Sequence, residues 1–268
     1  MGNNFTVQVN NATIHYNDAG NSHLPLVFIH GFPFDRSSWN PQYNYFKDFC
    51  RVVTYDIRGF GSSISDSDTQ FSMEVFARDF LAFLTALSID KAIVCGLSMG
   101  GYVLMHALKM EPERFAGIVL CDTQCNDDSD DAREKRMKTI EQIREKGIAD
   151  FADGFLKHVF HPQTFSRNPE VVEAVNDVIL CNTQHALLAT IKAMADRPAT
   201  GDVLQQVKVP ALIVCGAQDI ITPPEKSEAM HALIRNSRLV IIDEAAHLSN
   251  LDQPDAFNKH LGEFIKTI

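Results

Sequence analysis

Three residues of the sequence, a serine, an aspartate and a histidine, could form a nucleophile with its base and its acid. Ser98 lies in GLSMG (96–100), directly after the strand-like run KAIVC and directly before the helix-like GGYVLMHALKM. A G-x-S-x-G pentapeptide in that context is typical of a sharp strand-to-helix turn that exposes the serine hydroxyl. Small residues at positions 96, 100 and 101 let the strand and the helix approach closely. The pattern therefore predicts Ser98 as a nucleophile.

A serine hydroxyl is a weak nucleophile, so it needs a base and a third group that orients the base. His247 lies in EAAHLS, between the last strand-like run, RLVII, and the terminal amphipathic helix. Asp219 follows the preceding run, ALIVCGAQ, so the chain order is Ser98, Asp219, His247. Loops after consecutive strands of a parallel sheet usually emerge side by side. We therefore predict His247 as the base and Asp219 as the acid, with Asp122, which ends the run GIVLC, as the alternative acid.

Two other groups of residues have the spacing of ligand sites but lack the necessary companions. His158 and His161 could form a metal pair, yet no third ligand or carboxylate cluster accompanies them. Gly59 and Gly61 in RGFGSS lack the further glycine and the following helix of a nucleotide-binding loop. We therefore predict no metal and no cofactor.

The elements that must position these residues are short apolar runs alternating with amphipathic helical stretches, which is typical of an α/β fold with a mostly parallel sheet. Asn10 and Asn11 separate the first two runs and tolerate the positive φ values of a tight hairpin turn. Apolar residues at three- and four-residue spacings predict a helix over 72–87. The six later runs are almost unbroken and β-branched, so we expect strands covered on both faces. The eight runs are FTVQV (5–9), ATIHY (12–16), LVFI (26–29), RVVTY (51–55), AIVC (92–95), GIVLC (117–121), ALIVC (211–215) and RLVII (238–242).

Residues 124–196 interrupt the alternation, because they have helical periodicity and many charges but no convincing strand. We predict a helical insertion after the sixth strand, lying as a cap over the carboxyl ends of the strands, where ligands bind in open α/β sheets. The core then consists of residues 1–123 and 197–268, and the cap of residues 124–196. Four aspartates at positions 127, 128, 130 and 131 are expected to form a solvated loop.

The composition limits the classes of partner. The chain has 268 residues, 45% of them hydrophobic, and can bury a large core. A formal net charge of −10 offers no basic surface to nucleic acid or to an anionic membrane. The sequence has no signal-like start and no apolar run long enough to span a bilayer, and its six cysteines do not suggest a disulfide framework. We expect a cytoplasmic protein with a small-molecule partner, and a homo-oligomer is compatible with the sequence.

Beside the GLSMG pentapeptide, four segments resemble motifs of the α/β-hydrolase superfamily: HGFPFD (30–35), YDIRGFGSS (55–63), GAQDIITPP (216–224) and AAHLSNLDQP (245–254). The resemblance covers about residues 25–266 and is strongest to small carboxylesterases, enol-lactone hydrolases and cofactor-free haloperoxidases or perhydrolases. It implies an eight-stranded, mostly parallel sheet with helices on both faces and a helical cap. It also implies an oxyanion hole made by the backbone N–H groups of Phe32 and Met99, with His30 and Gly31 shaping the first loop.

The resemblance implies a serine hydrolase that cleaves small carboxylic esters or lactones through an acyl-enzyme. Perhydrolysis and carbon–carbon bond hydrolysis use the same triad, so the motifs do not choose among these reactions, and a non-catalytic ligand receptor on the same fold is a further alternative. Haloalkane dehalogenases and epoxide hydrolases are disfavoured, because their family nucleophile is a carboxylate. Phe32, Phe151 and Phe155 are candidates for substrate binding, and the cap residues Phe151, Phe155 and Phe160 either line an acyl pocket or seal the cap against the core.

Overall fold

The computed structural model describes residues 4–63 and 71–268, whose strands pair into one sheet in the order β1-β2-β4-β3-β5-β6-β7-β8. Strand β1 pairs antiparallel with β2, and β2 pairs antiparallel with β4, whereas all other neighbours are parallel. The predicted α/β fold with a mostly parallel sheet of eight strands is therefore confirmed. The eight described strands are β1 (Asn4–Val9), β2 (Ala12–Ala19), β3 (Leu26–Ile29), β4 (Val52–Tyr55), β5 (Ala92–Leu97), β6 (Phe115–Cys121), β7 (Ala211–Gly216) and β8 (Ser237–Ile242).

Helices cover both faces of this sheet. One group consists of α1, α10 and α11, which contact one another, and a second group is the series α2, α3, α8 and α9, in which each helix contacts the next. The indole ring of Trp39 joins the first group to the sheet, since it packs 4.6 Å from the ring of Phe28 on β3 and 5.9 Å from that of Phe257 on α11. The helices are α1 (Asn40–Phe46), α2 (Met73–Ala86), α3 (Met99–Met110), α4 (Asp130–Val159), α5 (Thr164–Arg167), α6 (Pro169–Leu180), α7 (Gln184–Ala195), α8 (Gly201–Gln205), α9 (Pro224–Leu233), α10 (Ser249–Asp252) and α11 (Pro254–Ile265), with short 3-10 helices at Arg36–Trp39 and Pro112–Arg114.

The centre and the edges of the sheet differ in burial. Every residue of β3, β4, β5 and β7 is buried, as expected for strands covered on both faces. The same expectation was wrong for RLVII, because β8 pairs only with β7 and alternates between buried and exposed residues, with Ile241 38% exposed. At the other edge, Asn10 and Asn11 adopt the predicted positive φ values of 44° and 62° in the β1–β2 turn.

The insertion between β6 and β7 is helical, as predicted, and contains α4, α5, α6 and α7. Helix α4 begins at the N-cap Ser129, whose hydroxyl accepts a hydrogen bond of 3.3 Å from the N–H of Ala132. It breaks at Gly147, which has a φ of 87° and joins two helical segments. Helix α4 packs against both α6 and α7. Among the described residues, no helix is both long and apolar enough to cross a membrane.

The aspartate cluster that precedes α4 is not wholly solvated. Asp128 is buried and accepts a hydrogen bond of 2.7 Å from the buried guanidinium of Arg197, and it also forms an ion pair with Arg136. Burial acts to raise the pKa of Asp128, but the two guanidinium groups prevail and lower it. The expectation of a solvated loop was therefore wrong for Asp128, because its partners approach from 8 and 69 residues away along the chain.

The two arms of the chain that enter and leave the insertion, residues 125–128 and 197–200, are tied together and are called the insertion junction below. The N–H of Thr200 donates to the carbonyl oxygen of Cys125 at 2.8 Å, and a second Arg197 nitrogen donates to the carbonyl oxygen of Asn126 at 3.0 Å. The guanidinium carbon of Arg197 also lies 4.1 Å from the ring centroid of Tyr102 on α3. The junction is thus fastened to the helix that follows Ser98.

Candidate active site

Ser98 occupies a strained turn between the end of β5 and the start of α3. Its backbone has a φ of 51° and a ψ of −115°, a conformation that is uncommon for a residue other than glycine. The surrounding strands and loops hold the turn: the N–H of Ser98 donates to the carbonyl oxygen of Cys121 at 2.9 Å, and the buried hydroxyl of Thr123 donates to the carbonyl oxygen of Ser98 at 2.8 Å. These two hydrogen bonds hold the strained backbone of Ser98 from both its N–H and its carbonyl group.

The glycines around this turn are required by close approach, as the sequence predicts. A Cβ added at Gly100 would lie 2.7 Å from the carbonyl oxygen of His30, and one at Gly101 would lie 2.6 Å from the hydroxyl oxygen of Thr123. Real Cβ atoms essentially never approach other atoms within 3.0 Å. Any larger residue would therefore push α3 away from the sheet and displace Ser98.

The structure brings His247 and Asp219 together with Ser98. His247 lies in the loop after β8 and Asp219 in the loop after β7, and these parallel strands are neighbours in the sheet. His247 Nε2 lies 2.9 Å from Ser98 Oγ, and His247 Nδ1 lies 2.8 Å from Asp219 Oδ2. A ring that donates from Nδ1 to the carboxylate leaves Nε2 free to accept the serine proton. The predicted order of residues along the chain thus produces a continuous hydrogen-bonded series.

Asp219 is held as a buried carboxylate by four hydrogen bonds. Its Oδ1 accepts from the N–H groups of Ile221 at 2.8 Å and Thr222 at 3.0 Å, and its Oδ2 accepts from the Thr222 hydroxyl at 2.7 Å as well as from His247. Burial acts to raise the pKa of Asp219, but His247 and the donors of Thr222 lower it below its ordinary value. Burial conversely acts to lower the pKa of His247, but Asp219 prevails and raises it. The pair is therefore arranged to stabilise a charged imidazolium.

Asp122, the alternative acid, lies behind this series and has different partners. Its Oδ1 accepts from the N–H of Gly216 at 2.8 Å, and its Oδ2 accepts from the hydroxyl of Ser249 at 2.5 Å. Burial and the nearby charge of Asp219 raise its pKa well above the usual aspartate value. Asp122 therefore ties the loop that carries Asp219 to the loop that carries His247. Sequence reasoning missed this bridging position, because no local pattern links residues 122, 216 and 249.

The loop that carries Phe32 lies directly beside Ser98. A Cβ added at Gly31 would lie 3.2 Å from Ser98 Cβ. Within the described part of the chain, neither the N–H of Phe32 nor that of Met99 donates to another backbone or side-chain acceptor. Both N–H groups are thus available beside the serine, where the resemblance puts an oxyanion hole.

His30 fixes the position of this loop. Its Nδ1 donates to the carbonyl oxygen of Gly31 at 2.8 Å, and its Nε2 accepts from the N–H of Ile57 at 2.9 Å. Complete burial lowers the pKa of His30 to about 4, despite the opposing effect of the Gly31 carbonyl. A neutral His30 therefore joins the Phe32 loop to the loop after β4.

Phenylalanine rings from the insertion pack on the same loop. The ring centroid of Phe32 lies 6.3 Å from that of Phe151 and 6.5 Å from that of Phe155, both on α4. The rings of Phe151 and Phe155 stack on each other at 5.1 Å, and Phe60 approaches Phe32 from the core at 6.1 Å. Phe155 is only half-buried, whereas Phe32 and Phe151 are buried. The assignment of these three residues to substrate binding stays a prediction, and their rings form one apolar wall.

One group of buried side chains has the chemistry of metal ligands. Single ligand atoms of Asp122, Cys215 and Asp219 lie within 4.8 Å of one another. Each already has a protein partner, since Asp122 and Asp219 accept the hydrogen bonds given above and Cys215 Sγ lies 3.3 Å from the carbonyl oxygen of Gly216. Burial also raises the pKa of the Cys215 thiol, which opposes formation of the thiolate that binds metals. These residues therefore hold in place the loop that carries Asp219.

Known proteins resemble this chain over almost its whole length. A family model described as alpha/beta hydrolase fold matches residues 25–254. A 3-oxoadipate enol-lactonase 2 from Acinetobacter baylyi is 29% identical, covering 94% of this chain and 93% of that protein. The solved structure of a thermophilic esterase from Thermogutta terrifontis has a TM-score of 0.91 with 32% identity, covering 100% of this chain and 98% of that one. A bromoperoxidase from Bacillus anthracis has a TM-score of 0.89 with 25% identity, covering 98% of this chain and 100% of that one.

Proposed function

Since this chain belongs to the alpha/beta hydrolase fold family, we propose that it is a carboxylic ester hydrolase that cleaves small esters or lactones through a serine acyl-enzyme. The observation that supports this function best is the hydrogen-bonded series from Ser98 through His247 to Asp219, with distances of 2.9 Å and 2.8 Å. The relatives named as an enol-lactonase and an esterase support the same reaction type, attack on an acyl carbon bonded to oxygen. An ester and a lactone differ only in whether the leaving alcohol stays attached.

The first half of the reaction forms the acyl-enzyme. His247 Nε2 accepts the proton of Ser98 as Oγ attacks the carbonyl carbon, and the carbonyl π electrons move onto its oxygen. The N–H groups of Phe32 and Met99 stabilise that oxyanion, a contribution for which each donor is typically worth about 100- to 1000-fold in rate. The bond from carbon to the alcohol oxygen then breaks, and His247 gives its proton to the departing alcohol.

The second half repeats these steps with water. His247 accepts a proton from a water molecule as its oxygen attacks the acyl carbon, and the bond to Ser98 Oγ breaks when the proton returns to that oxygen. Asp219 stays ionised throughout and stabilises the imidazolium that forms twice in each cycle. The acid is released and the free enzyme is restored.

A panel of aryl esters with acyl chains of graded length, together with simple lactones, tests this function. We expect turnover by the wild type, fastest with short or medium acyl chains, and none above background by Ser98→Ala. A fluorophosphonate probe should label the wild type and not Ser98→Ala. Labelling without turnover of any ester or lactone would favour the ligand-receptor alternative, and turnover retained by Ser98→Ala would exclude Ser98 as the nucleophile.

Perhydrolysis is a second candidate, because the chain also resembles a bromoperoxidase. In that reaction hydrogen peroxide replaces water, attacks the acyl carbon and leaves as a peracid, with Ser98 regaining its proton through His247. The same assay with acetate or an acetate ester and hydrogen peroxide measures it, with peracid formation as the readout. Hydrolysis at an unchanged rate with no peracid would leave ester hydrolysis as the function.

A further inference from the structure

The side of the site on which we place the acyl chain is formed by phenylalanine rings, which have no polar atoms. Phe151 and Phe155 are one turn apart on α4, stack at 5.1 Å and present their rings to Phe32. Phe34, from the same loop as Phe32, lies 6.1 Å from the ring of Phe155. A ring wall of this kind stabilises an apolar substrate group by burial and offers no hydrogen bond to a charged one.

The buried arginines cannot supply a partner for a substrate anion, because carboxylates already occupy them. Each arginine that the described structure buries or half-buries is engaged in this way. Arg58 donates two hydrogen bonds of 2.6 Å and 2.8 Å to Asp79, and Arg197 donates to Asp128 at 2.7 Å. The half-buried arginines have ion pairs of their own, Arg36 with Asp56, Arg51 with Asp18, Arg114 with Glu111 and Arg136 with Asp128.

The histidines and lysines described next do not supply a cationic partner for a substrate anion either. Burial lowers the pKa values of His30 and His106, so both are neutral near pH 7, and His247 is already paired with Asp219. Of the half-buried lysines of the described residues, Lys47 directly follows α1 and Lys226 lies on α9, and both helices pack on the sheet. The charged partner that the structure places on His247 is therefore an acidic one, Asp219.

We infer that the site takes neutral esters or lactones and discriminates against substrates that carry a carboxylate on the acyl chain. This inference rests on the proposed function and narrows its substrate class. A carboxylate that enters the site would lose its water and meet phenylalanine rings, and among the described residues each buried or half-buried arginine is already paired with a carboxylate of the protein. We expect kcat/KM for such a substrate to be lower by about 100-fold than for a neutral one of the same size.

Phenyl levulinate and phenyl hemisuccinate test the inference, because their acyl chains differ mainly in a terminal ketone against a terminal carboxylate. Phenol release is measured for the wild type, with the rate in the presence of Ser98→Ala subtracted as background. A kcat/KM ratio of tenfold or more in favour of levulinate supports the inference, and a smaller ratio overturns it while the proposed function stands. Failure to hydrolyse any ester would overturn the proposed function and the inference together.

A charge placed in the wall gives a second, independent readout. Phe155→Lys sets an ammonium against the half-buried part of the wall, where a lysine stem can bend towards water. We expect the hemisuccinate-to-levulinate ratio of kcat/KM to rise by about tenfold or more, because the carboxylate then has a partner. Phe165→Lys is the matched control, since Phe165 is exposed on α5 and packs on Phe160 at 6.3 Å rather than on the wall. An equal ratio in both variants would count against the placement of the acyl chain.

Discussion

Replacement of Asp219 by asparagine tests the proposed catalytic arrangement most sharply. The hydrogen-bond donors around the side chain determine which of its two ends the amide oxygen of asparagine will occupy. Oδ1 accepts from two backbone N–H groups, those of Ile221 and Thr222, so an amide oxygen is strongly favoured at that position. The amide NH₂ then replaces Oδ2 and donates to His247 Nδ1. The single ring proton of neutral His247 is thereby moved to Nε2, which can no longer accept a proton from Ser98.

The size of the effect follows from the cost of turning the amide around. The reversed amide would orient His247 correctly but would set its NH₂ against two N–H donors, leaving both without an acceptor. Each unsatisfied buried donor costs about 1–3 kcal/mol, so the productive orientation is disfavoured by about 2–6 kcal/mol. At about 1.4 kcal/mol for each factor of ten, kcat falls roughly 30- to 20,000-fold. The corresponding change in the serine-protease template costs about 10⁴ in kcat.

Asp122→Asn is the matched control, because it makes the same chemical change in the neighbouring carboxylate. Its amide oxygen can keep the hydrogen bond from the N–H of Gly216, and its NH₂ can donate to the hydroxyl of Ser249, which rotates to accept. We therefore expect a loss of less than about tenfold in kcat. Both variants are compared by aryl ester turnover at pH 8, after circular dichroism and thermal unfolding establish that they are folded. A larger loss in Asp122→Asn than in Asp219→Asn would refute the assignment of the acid.

Three further outcomes follow from the same structure. Ser98→Ala should abolish ester turnover above background and shift Tm by only a few degrees, and retained turnover would contradict the role of Ser98. The value of kcat/KM should rise with pH to a midpoint above the ordinary histidine value of about 6.5, because Asp219 outweighs burial and raises the pKa of His247; a flat profile from pH 5 to 9 would argue against His247 as the base. Asp128→Ala should lower the free energy of unfolding by about 3–5 kcal/mol in urea titrations at pH 7, since Arg197 is left buried without its partner. Because the pKa of Asp128 is lowered in the folded state, this difference should shrink as pH falls through the acidic range, and a difference that does not change with pH would contradict the ion pair as its cause.

Local patterns were sufficient for most elements, and they indicated three residues that the structure brings within hydrogen-bonding distance. The predicted run LVFI coincides with β3, and the two asparagines adopt the predicted turn conformation. Asp219 and His247 could be paired from the sequence alone, because they follow consecutive strands that turn out to be neighbours. Ser98, Asp219 and His247 all follow the ends of strands. The ends of strands can be recognised in the sequence, because they are the limits of apolar runs.

Features that depend on contacts between distant segments could not be predicted in this way. The burial of Asp128 depends on Arg197, and its local sequence, rich in aspartate, is that of a solvated loop. RLVII has the composition of a central strand, and only the order of strands in the sheet makes β8 an edge. The bridging role of Asp122 likewise requires the loops after β7 and β8 to be in place.

The insertion junction bears on how such a protein can acquire new substrates. Cys125 and Thr200 are 75 residues apart in sequence but are joined by a hydrogen bond. The two ends of the insertion therefore leave and rejoin the core next to each other, as the ends of a short loop would. Loop-closure entropy grows only slowly with loop length, and the hydrogen bonds from Thr200 to Cys125 and from Arg197 to Asn126 join the two ends directly. We therefore expect that a segment of different length or composition can be exchanged at this point while β6, β7 and the turn at Ser98 keep their positions. Recombination at the junction would replace the phenylalanine wall in a single step, which gives laboratory evolution a natural place to cut and join.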